Sequence, residues 1–286
     1  MIRRTVLALL SVLPAVAGAE FDAWVKRMGA KGTQVSAGTW DLATGKALEG
    51  HQVDQALVPA STTKVVSTYA MFRTWKADFQ VETEVWGDLQ GGVVRGDLVL
   101  KGGGDPFLTD ERLWMLAQEL RAQGVVRVAG NLRLDQGAFD GQRFGSGWEN
   151  TSANTLPAIA PLSVNFNRDA RGRLVTDPDR LALDTCRRVF TEAGIAIDGG
   201  GGGAGTPRKL ASFASPPLRQ LLADINKFSN NFMVEMLVKR FGDGSWPRGI
   251  QRIQEFYRTT FNLGADRIAI TDGSGLSKDN RLSART

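Results

Sequence analysis

Ser61 and Lys64 stand three residues apart in Ser61-Thr62-Thr63-Lys64, and on a helix that spacing sets the lysine amine beside the serine hydroxyl on one face. The chemistry open to such a pair is nucleophilic. A serine hydroxyl is a weak nucleophile until a neighbouring base takes its proton, and a lysine serves as that base only where desolvation or a nearby cation lowers its hold on its own proton. Pro59-Ala60-Ser61 reads as the opening of the helix, and Val65, Val66, Tyr69, Ala70, Met71 and Phe72 make most of its surface apolar, which predicts a buried central helix. A serine at the helix start also places its own N–H where developing negative charge is stabilised. Alone, the letters Ser-x-x-Lys are common, and a capping serine followed by a solvated lysine reads the same way. A second polar group, Ser229-Asn230-Asn231, breaks an otherwise apolar helical pattern between Asn226 and Leu237. Such a trio asks for a reason, either local backbone capping or chemistry.

Several elements must position these residues. Residues 33–42 alternate loosely, Ala43-Thr44-Gly45-Lys46 supplies turn chemistry, and the alternation resumes at Ala47, so a β-hairpin precedes the serine helix. From about residue 79 to 214 the texture changes to short strand-like runs punctuated by glycine, at 93–100, 125–128 and 131–134, which reads as a mostly β unit inserted into the first domain. Residues 198–205 are nearly all glycine and predict a turn or flexible connection near the insertion's end. Helical spacing returns at Leu218, Leu221, Leu222, Ile225 and Phe228, and again over 232–238.

Composition narrows the class. Met1-Ile2-Arg3-Arg4, an apolar run from Thr5 to Val16 and then Ala17-Gly18-Ala19 have the order of a secretory signal peptide cleaved after Ala19. The run is too short, and interrupted by Pro14, to serve as a membrane span. The formal charge of +5 falls to +3 once Arg3 and Arg4 leave with the signal, too mild a balance to argue for nucleic acid. Cys186 is the one cysteine, so no internal disulfide braces the fold. His51 is the one histidine and stands in the hairpin, which disfavours a Ser-His-Asp triad. With no histidine and cysteine cluster, no metal is expected. Lys101-Gly102-Gly103-Gly104-Asp105-Pro106 lacks the Gly-Lys-Ser/Thr of a phosphate loop and reads as a tight turn after a strand.

Penicillin-recognising serine enzymes carry Ser-x-x-Lys, Ser-x-Asn and Lys-Thr-Gly in that order. The first two occur here in order, within Pro59-Ala60-Ser61-Thr62-Thr63-Lys64 and Ser229-Asn230-Asn231, together with Gly102-Gly103-Gly104-Asp105-Pro106 and Asp272-Gly273-Ser274-Gly275-Leu276-Ser277. In these four segments the chain resembles the class C, low-molecular-mass penicillin-binding proteins, the D-alanyl-D-alanine carboxypeptidase/endopeptidase branch. The resemblance implies an α+β fold, a penicillin-binding-protein/β-lactamase-like (transpeptidase) domain interrupted by a β-rich inserted domain. The expected layout is a signal peptide at 1–19, the first part of the catalytic domain at 20–78, the insertion at 79–214, and an incomplete second part at 215–286.

Carried over residue by residue, the resemblance implies that Ser61 is the acylated nucleophile and Lys64 its general base. Ser229 would relay a proton to the leaving amine, and Asn231 would hold the substrate amide. Asn230 stands where many relatives have aspartate. The implied partners are peptidoglycan stem peptides and, as covalent inhibitors, β-lactam antibiotics, with no cofactor and a periplasmic or otherwise extracytoplasmic location. The stretch between Lys64 and Ser229 is too long for the compact β-lactamase layout. No Lys-Thr-Gly or Lys-Ser-Gly follows Asn231, and the chain ends at Thr286, ten residues past Leu276. The expectation is therefore a chain cut before its third motif, and the competing reading is a truncated pseudoenzyme or a peptidoglycan-binding fragment without catalysis.

Overall fold

Alternation and helical spacing account for most of the elements seen in the computed structural model, which describes residues 17–148, 156–200 and 206–286. Most of the expected signal peptide and residues 201–205 of the glycine-rich connection lie outside the described residues. Helix α1 (Ala17–Ala30) precedes an antiparallel hairpin of β1 (Ala37–Trp40) and β2 (Ala47–His51), the hairpin that the alternation predicts. Asp41 Oδ1 closes its turn by accepting from the Ala43 and Thr44 N–H groups. A one-turn 3-10 helix at Ala60–Thr62 then runs into α2 (Thr63–Thr74).

Next come β3 (Glu82–Gln90), β4 (Val93–Lys101), α3 (Asp110–Ala122), β5 (Arg127–Val128), β6 (Leu132–Asp135), α4 (Pro178–Glu192), β7 (Ala196–Ile197) and β8 (Arg208–Ala214). The chain continues through α5 (Leu218–Phe228), α6 (Asn231–Phe241), α7 (Trp246–Phe261), β9 (Ile268–Ala269) and β10 (Arg281–Leu282). Helices α5 and α6 cover the two stretches where the sequence returns to helical spacing.

Two hydrophobic cores divide these elements. One gathers Val66, Ala70 and Met71 of α2 with the buried faces of α5, α6 and α7. The other lies in the inserted unit, where strand order β7-β5-β4-β3-β8, with β6 also on β4, makes a six-stranded sheet. Strand β4 pairs antiparallel with β3 and parallel with β5 and β6. Parallel neighbours need a crossover connection, and α3 supplies it between β4 and β5. The expectation of a mostly β unit therefore passed over two helices. Their stripes are at helical spacing: Leu113, Leu116, Ala117 and Leu120 in α3, Ala182, Cys186, Val189 and Phe190 in α4, all buried against the sheet.

The cores are joined through the glycine run after β4. A Cβ on Gly103 would lie 2.2 Å from the Glu82 carbonyl, and one on Gly102 would lie 2.4 Å from the Leu162 nitrogen. Glycine is what lets segment 156–164 close over the sheet end, where Gly104 N–H donates to the Pro161 carbonyl at 2.8 Å. From that side Phe139, Trp148, Leu156 and Ile159 enter the helical core.

Helix α2 is not buried all round as its composition suggests. Val65, Tyr69 and Phe72, at i, i+4 and i+7, form an outward stripe, with Val65 60 % exposed. Helices α5, α6 and α7 pack on its other side, where Thr63, Lys64, Ser67 and Thr68 are buried. Val66, Ala70 and Met71 face inward too, so α2 buries a mixed polar and apolar face while three apolar residues face out, a departure from the usual helix pattern that the site below explains.

The sheet core is self-contained between Val85 and Ala211, so residues 79–214 are proposed to fold as a unit even though four of their side chains belong to the other core. Expressed alone, this segment should show a mixed α/β circular dichroism spectrum and a cooperative thermal transition. A disordered spectrum without a transition would mean the insertion is held only by the helices around it.

Candidate active site

The turn that presents Ser61 is strained. Ala60, immediately before it, has φ 49° in the left-handed region, a conformation that costs a non-glycine residue roughly 1–2 kcal/mol. The surroundings impose it. The Ala60 carbonyl accepts from the Thr63 hydroxyl at 2.9 Å, and Gly275 lies directly against that carbonyl, where a Cβ would come within 1.8 Å of the oxygen. Ser61 itself is exposed at the head of the helix.

Lys64 is buried, with 2 % of its surface exposed. Its Nζ lies 3.0 Å from Ser61 Oγ and donates to the Ser274 carbonyl at 2.8 Å. A neutral amine has two hydrogens and one lone pair, so with one hydrogen committed to Ser274 the lone pair can face the serine hydroxyl. Burial pulls the amine's pKa down to about 8, while the nearby carboxylates of Glu235 and Asp272 pull it back up. Near neutral pH a usable fraction is therefore free base, the state that could take the Ser61 proton.

The segment 272–275 holds this pair from above. Its peptides are fixed on both edges: Ser274 N–H donates to Glu235 Oε1 at 2.6 Å, and Gly275 N–H donates to Asp272 Oδ1 at 2.8 Å. On the carbonyl side, Gly273 accepts from Ser67 Oγ at 3.0 Å and Ser274 accepts from Lys64. The two α2 residues that reach the loop are one turn apart, which is why the polar face of this helix points inward. Each carboxylate is steadied by an indole, Glu235 by Trp246 Nε1 at 2.9 Å and Asp272 by Trp148 Nε1 at 2.8 Å. The two rings pack edge to face with centroids 5.3 Å apart.

The second motif sits at the α5–α6 junction and divides its work. Ser229, at φ 54°, ends α5 in the left-handed conformation, and Asn230 caps α6 by accepting from the Met233 N–H at 3.0 Å. The capping explanation thus holds for Asn230. The side chains of Ser229 and Asn231 make no hydrogen bond among the described residues and line a cleft of about 290 Å³ with Leu156, Pro157, Phe166 and Arg168 of the inserted unit. That junction is tied to α2 one turn beyond Lys64, where Asn226 Nδ2 donates to Thr68 Oγ1 at 3.0 Å. The structure therefore joins Ser61 to Lys64 directly and sets Ser229 and Asn231 in one cleft beside the same helix. No side-chain hydrogen bond connects the two pairs among the described residues.

The fold defines the class. The chain is similar to penicillin binding protein 4 of Haemophilus influenzae, with a TM-score of 0.73 at 19 % identity, over 85 % of this chain and 71 % of that one. It is also similar to a predatory peptidoglycan endopeptidase of Bdellovibrio bacteriovorus, with a TM-score of 0.54 at 14 % identity, over 87 % of this chain and 65 % of that one. These likenesses define a penicillin-binding-protein fold with an inserted unit. In sequence, the D-Ala-D-Ala carboxypeptidase 3 (S13) family matches residues 19–171 and 152–286, and the chain belongs to that family. It is 27 % identical to a D-alanyl-D-alanine carboxypeptidase of Actinomadura sp. (strain R39), over 98 % of this chain and 70 % of that protein. It is 30 % identical to a carboxypeptidase of Mycobacterium tuberculosis, over 86 % of this chain and 57 % of that protein. The chain thus spans little more than half the length of the mycobacterial relative.

In the sequence, segment 272–277 stands out by resemblance alone, with no task attached, and Glu235 carries no signal. The structure makes the loop the frame of the Ser61–Lys64 pair. Gly275→Ala tests that frame, because a Cβ at φ +81° meets the backbone oxygen of Ala60 rather than a side chain that could swing away. Displacement of the Ser61 turn by about 1 Å should lower the rate of acylation by roughly a hundredfold, read by β-lactam labelling kinetics beside a thermal melt. Wild-type kinetics in the alanine variant would show that the loop does not constrain the serine.

Proposed function

We propose that this protein is a serine-type D-Ala-D-Ala carboxypeptidase that acts on peptidoglycan stem peptides through an acyl-enzyme on Ser61. The observation that carries the reading is the buried Lys64 amine 3.0 Å from Ser61 Oγ, with one of its hydrogens committed to the Ser274 carbonyl. In this scheme Lys64 takes the proton as Ser61 Oγ bonds to the carbonyl carbon of the terminal amide. The Ser61 N–H at the helix start stabilises the developing oxyanion. Collapse breaks the C–N bond, and the proton taken by Lys64 passes by way of Ser229 to the departing D-alanine amine, which returns both side chains to their starting states, while Asn231 holds the substrate's amide in the cleft. Water then attacks the Ser61 ester, frees the shortened peptide and returns a proton to Ser61. Endopeptidase action is the same sequence with the amine of a crosslinked neighbour as leaving group.

A β-lactam presents a strained amide to the same nucleophile and leaves an ester on it, so penicillin is the covalent probe of this scheme. The expected location is extracytoplasmic, where this substrate lies. No helix among the described residues is long and apolar enough to cross a membrane.

Intact-protein mass spectrometry should show one penicillin adduct on the wild type and none on Ser61→Ala. The background is clean, because Cys186 is buried and its thiol is pushed up to about 12. An adduct retained in Ser61→Ala would reject the assigned nucleophile, whereas peptide binding without any adduct would favour the non-catalytic reading.

Acylation should also rise with pH. Lys64 must be uncharged to act as base, and its free-amine fraction grows as pH rises through about 8. Stopped-flow acylation of the wild type between about pH 6 and about pH 9 should follow that limb. In Lys64→Ala, acylation should slow by roughly a hundredfold or more while initial binding changes little. Weaker binding with an unchanged acylation rate would make Lys64 a binding residue.

A further inference from the structure

Glu235 is a carboxylate with no part in the scheme above, and it is fully buried in the middle of α6. Burying a carboxylate is costly unless its oxygens are satisfied, and both are: Oε1 accepts from the Ser274 N–H and Oε2 from the Trp246 indole. The residue it grips is the one whose carbonyl receives the Lys64 amine. We infer, building on the proposed Ser61–Lys64 chemistry, that Glu235 is a positioning residue: it anchors Ser274 so that Lys64 Nζ stays against Ser61, and its charge sets how readily that amine gives up its proton.

The charges around the lysine support this role. Lys64 comes from α2, Asp272 from the loop and Glu235 from α6, so one amine shares a buried space with two carboxylates. Lys239, one turn further along α6, does not join them. Its Nζ donates to Asp140 Oδ1 at 2.6 Å and to the Gln142 carbonyl at 2.5 Å, and it lies over the far side of the Trp246 ring, 4.4 Å from the centroid. Asp272 is held by four donors: the N–H groups of Gly275 and Ser277, the Asn280 amide and the Trp148 indole. Glu235 is held by two among the described residues. Burial, then repulsion from Asp272, push its pKa up to about 8, in the same range as the lysine's. An ionised Glu235 favours the ammonium form of Lys64, whereas a protonated one favours the free amine. The two groups therefore titrate as a coupled pair.

Glu235→Gln separates charge from shape. The amide can still accept the Ser274 N–H but can never favour the ammonium, so the free-amine fraction of Lys64 rises wherever Glu235 is ionised in the wild type. The acidic limb of the acylation–pH profile is expected to move to lower pH by roughly one unit or more. Glu235→Asp keeps the charge but shortens the reach to Ser274. It should leave the limb near its wild-type position and lower the plateau. A residue that only filled space would lower the plateau in both variants and move the limb in neither.

Trp246→Phe is the second variant. It removes the indole donor to Glu235 Oε2 while leaving a smaller aromatic ring in the core, makes Glu235 easier to protonate, and should move the limb the same way by less. A direct readout needs no activity: in protein labelled with carbon-13 at the lysine ε carbon, the Lys64 signal is identified by its loss in Lys64→Met. Its titration midpoint should fall in Glu235→Gln. An unchanged or raised midpoint, or an acylation limb that does not move, overturns the inference. If wild type is never acylated at any pH, the proposed function fails, and the lysine titration alone then decides the role of Glu235.

Discussion

Holding a lysine amine out of water costs several kcal/mol unless its hydrogens find acceptors and its charge a partner or an escape, and the helical half of this protein is arranged around that cost. Lys64 meets it with a hydrogen bond to the Ser274 carbonyl, two carboxylates in the same buried space, and a pKa low enough for the amine to shed its charge near neutral pH. The acceptor is a backbone carbonyl in a loop, so the loop must be fixed. The loop is fixed by Glu235 and Asp272 at its N–H groups, so those carboxylates must be fixed in turn. Trp246 and Trp148 do that by donating from rings packed against each other. The sequence of demands ends in the hydrophobic core, to which both indoles belong.

The same demands explain why α2 buries polar residues beside Val66, Ala70 and Met71. Thr63, Lys64 and Ser67 are those that bond to Ala60, Ser274 and Gly273. Packing alone would have favoured Val65, Tyr69 and Phe72 on the buried side. Instead these lie on the outward face, with Tyr69 covered in part by Phe256, Tyr257 and Phe261 of α7 and its C-terminal end. The inserted unit contributes from the other side of the site: its sheet core supports segment 156–168, which forms one wall of the cleft that Ser229 and Asn231 line. Gly102 brings that segment close to the sheet and Gly103 lies against the Glu82 carbonyl of β3, which gives the glycine run a packing role in place of a phosphate-binding one.

Legibility in the sequence followed the range of the interaction. The Ser61–Lys64 contact was readable because a spacing of three on a helix is a local fact, and α5 and α6 were readable because an apolar stripe at helical period is one too. The capping by Asn230 was likewise weighed beforehand, since an Asn bonding its own helix start is local. Helices α3 and α4 carry equally clear stripes at a period of 3.6, but the glycine-punctuated strand runs on either side mask them in the sequence. Glu235 had no local signal: one acidic letter in Met233-Val234-Glu235-Met236 looks like any helical position, and its role arises only when the loop 272–275 packs over it. Segment 272–277 was noticed only through resemblance, for the same reason. Its partners Glu235, Trp148, Ser67 and Lys64 lie from 39 to 210 residues earlier in the chain, and no pattern within the segment reveals them.

That separation has a consequence for how the site comes into being. The bonds that lock α2 to the rest span 210 residues for Lys64 with Ser274, 206 for Ser67 with Gly273 and 191 for Tyr257 with Val66. Contacts this distant carry a loop-closure cost that contacts within one helix do not. Before they form, Lys64 faces water, keeps its ordinary affinity for its proton and is no base near neutral pH. Serine and lysine can be neighbours on a helix from the first microseconds of folding, but the lysine becomes chemically useful only when the loop, Glu235 and the two indoles close over it. The lowered proton affinity of Lys64 is therefore a property of the assembled core rather than of the motif that first draws the eye.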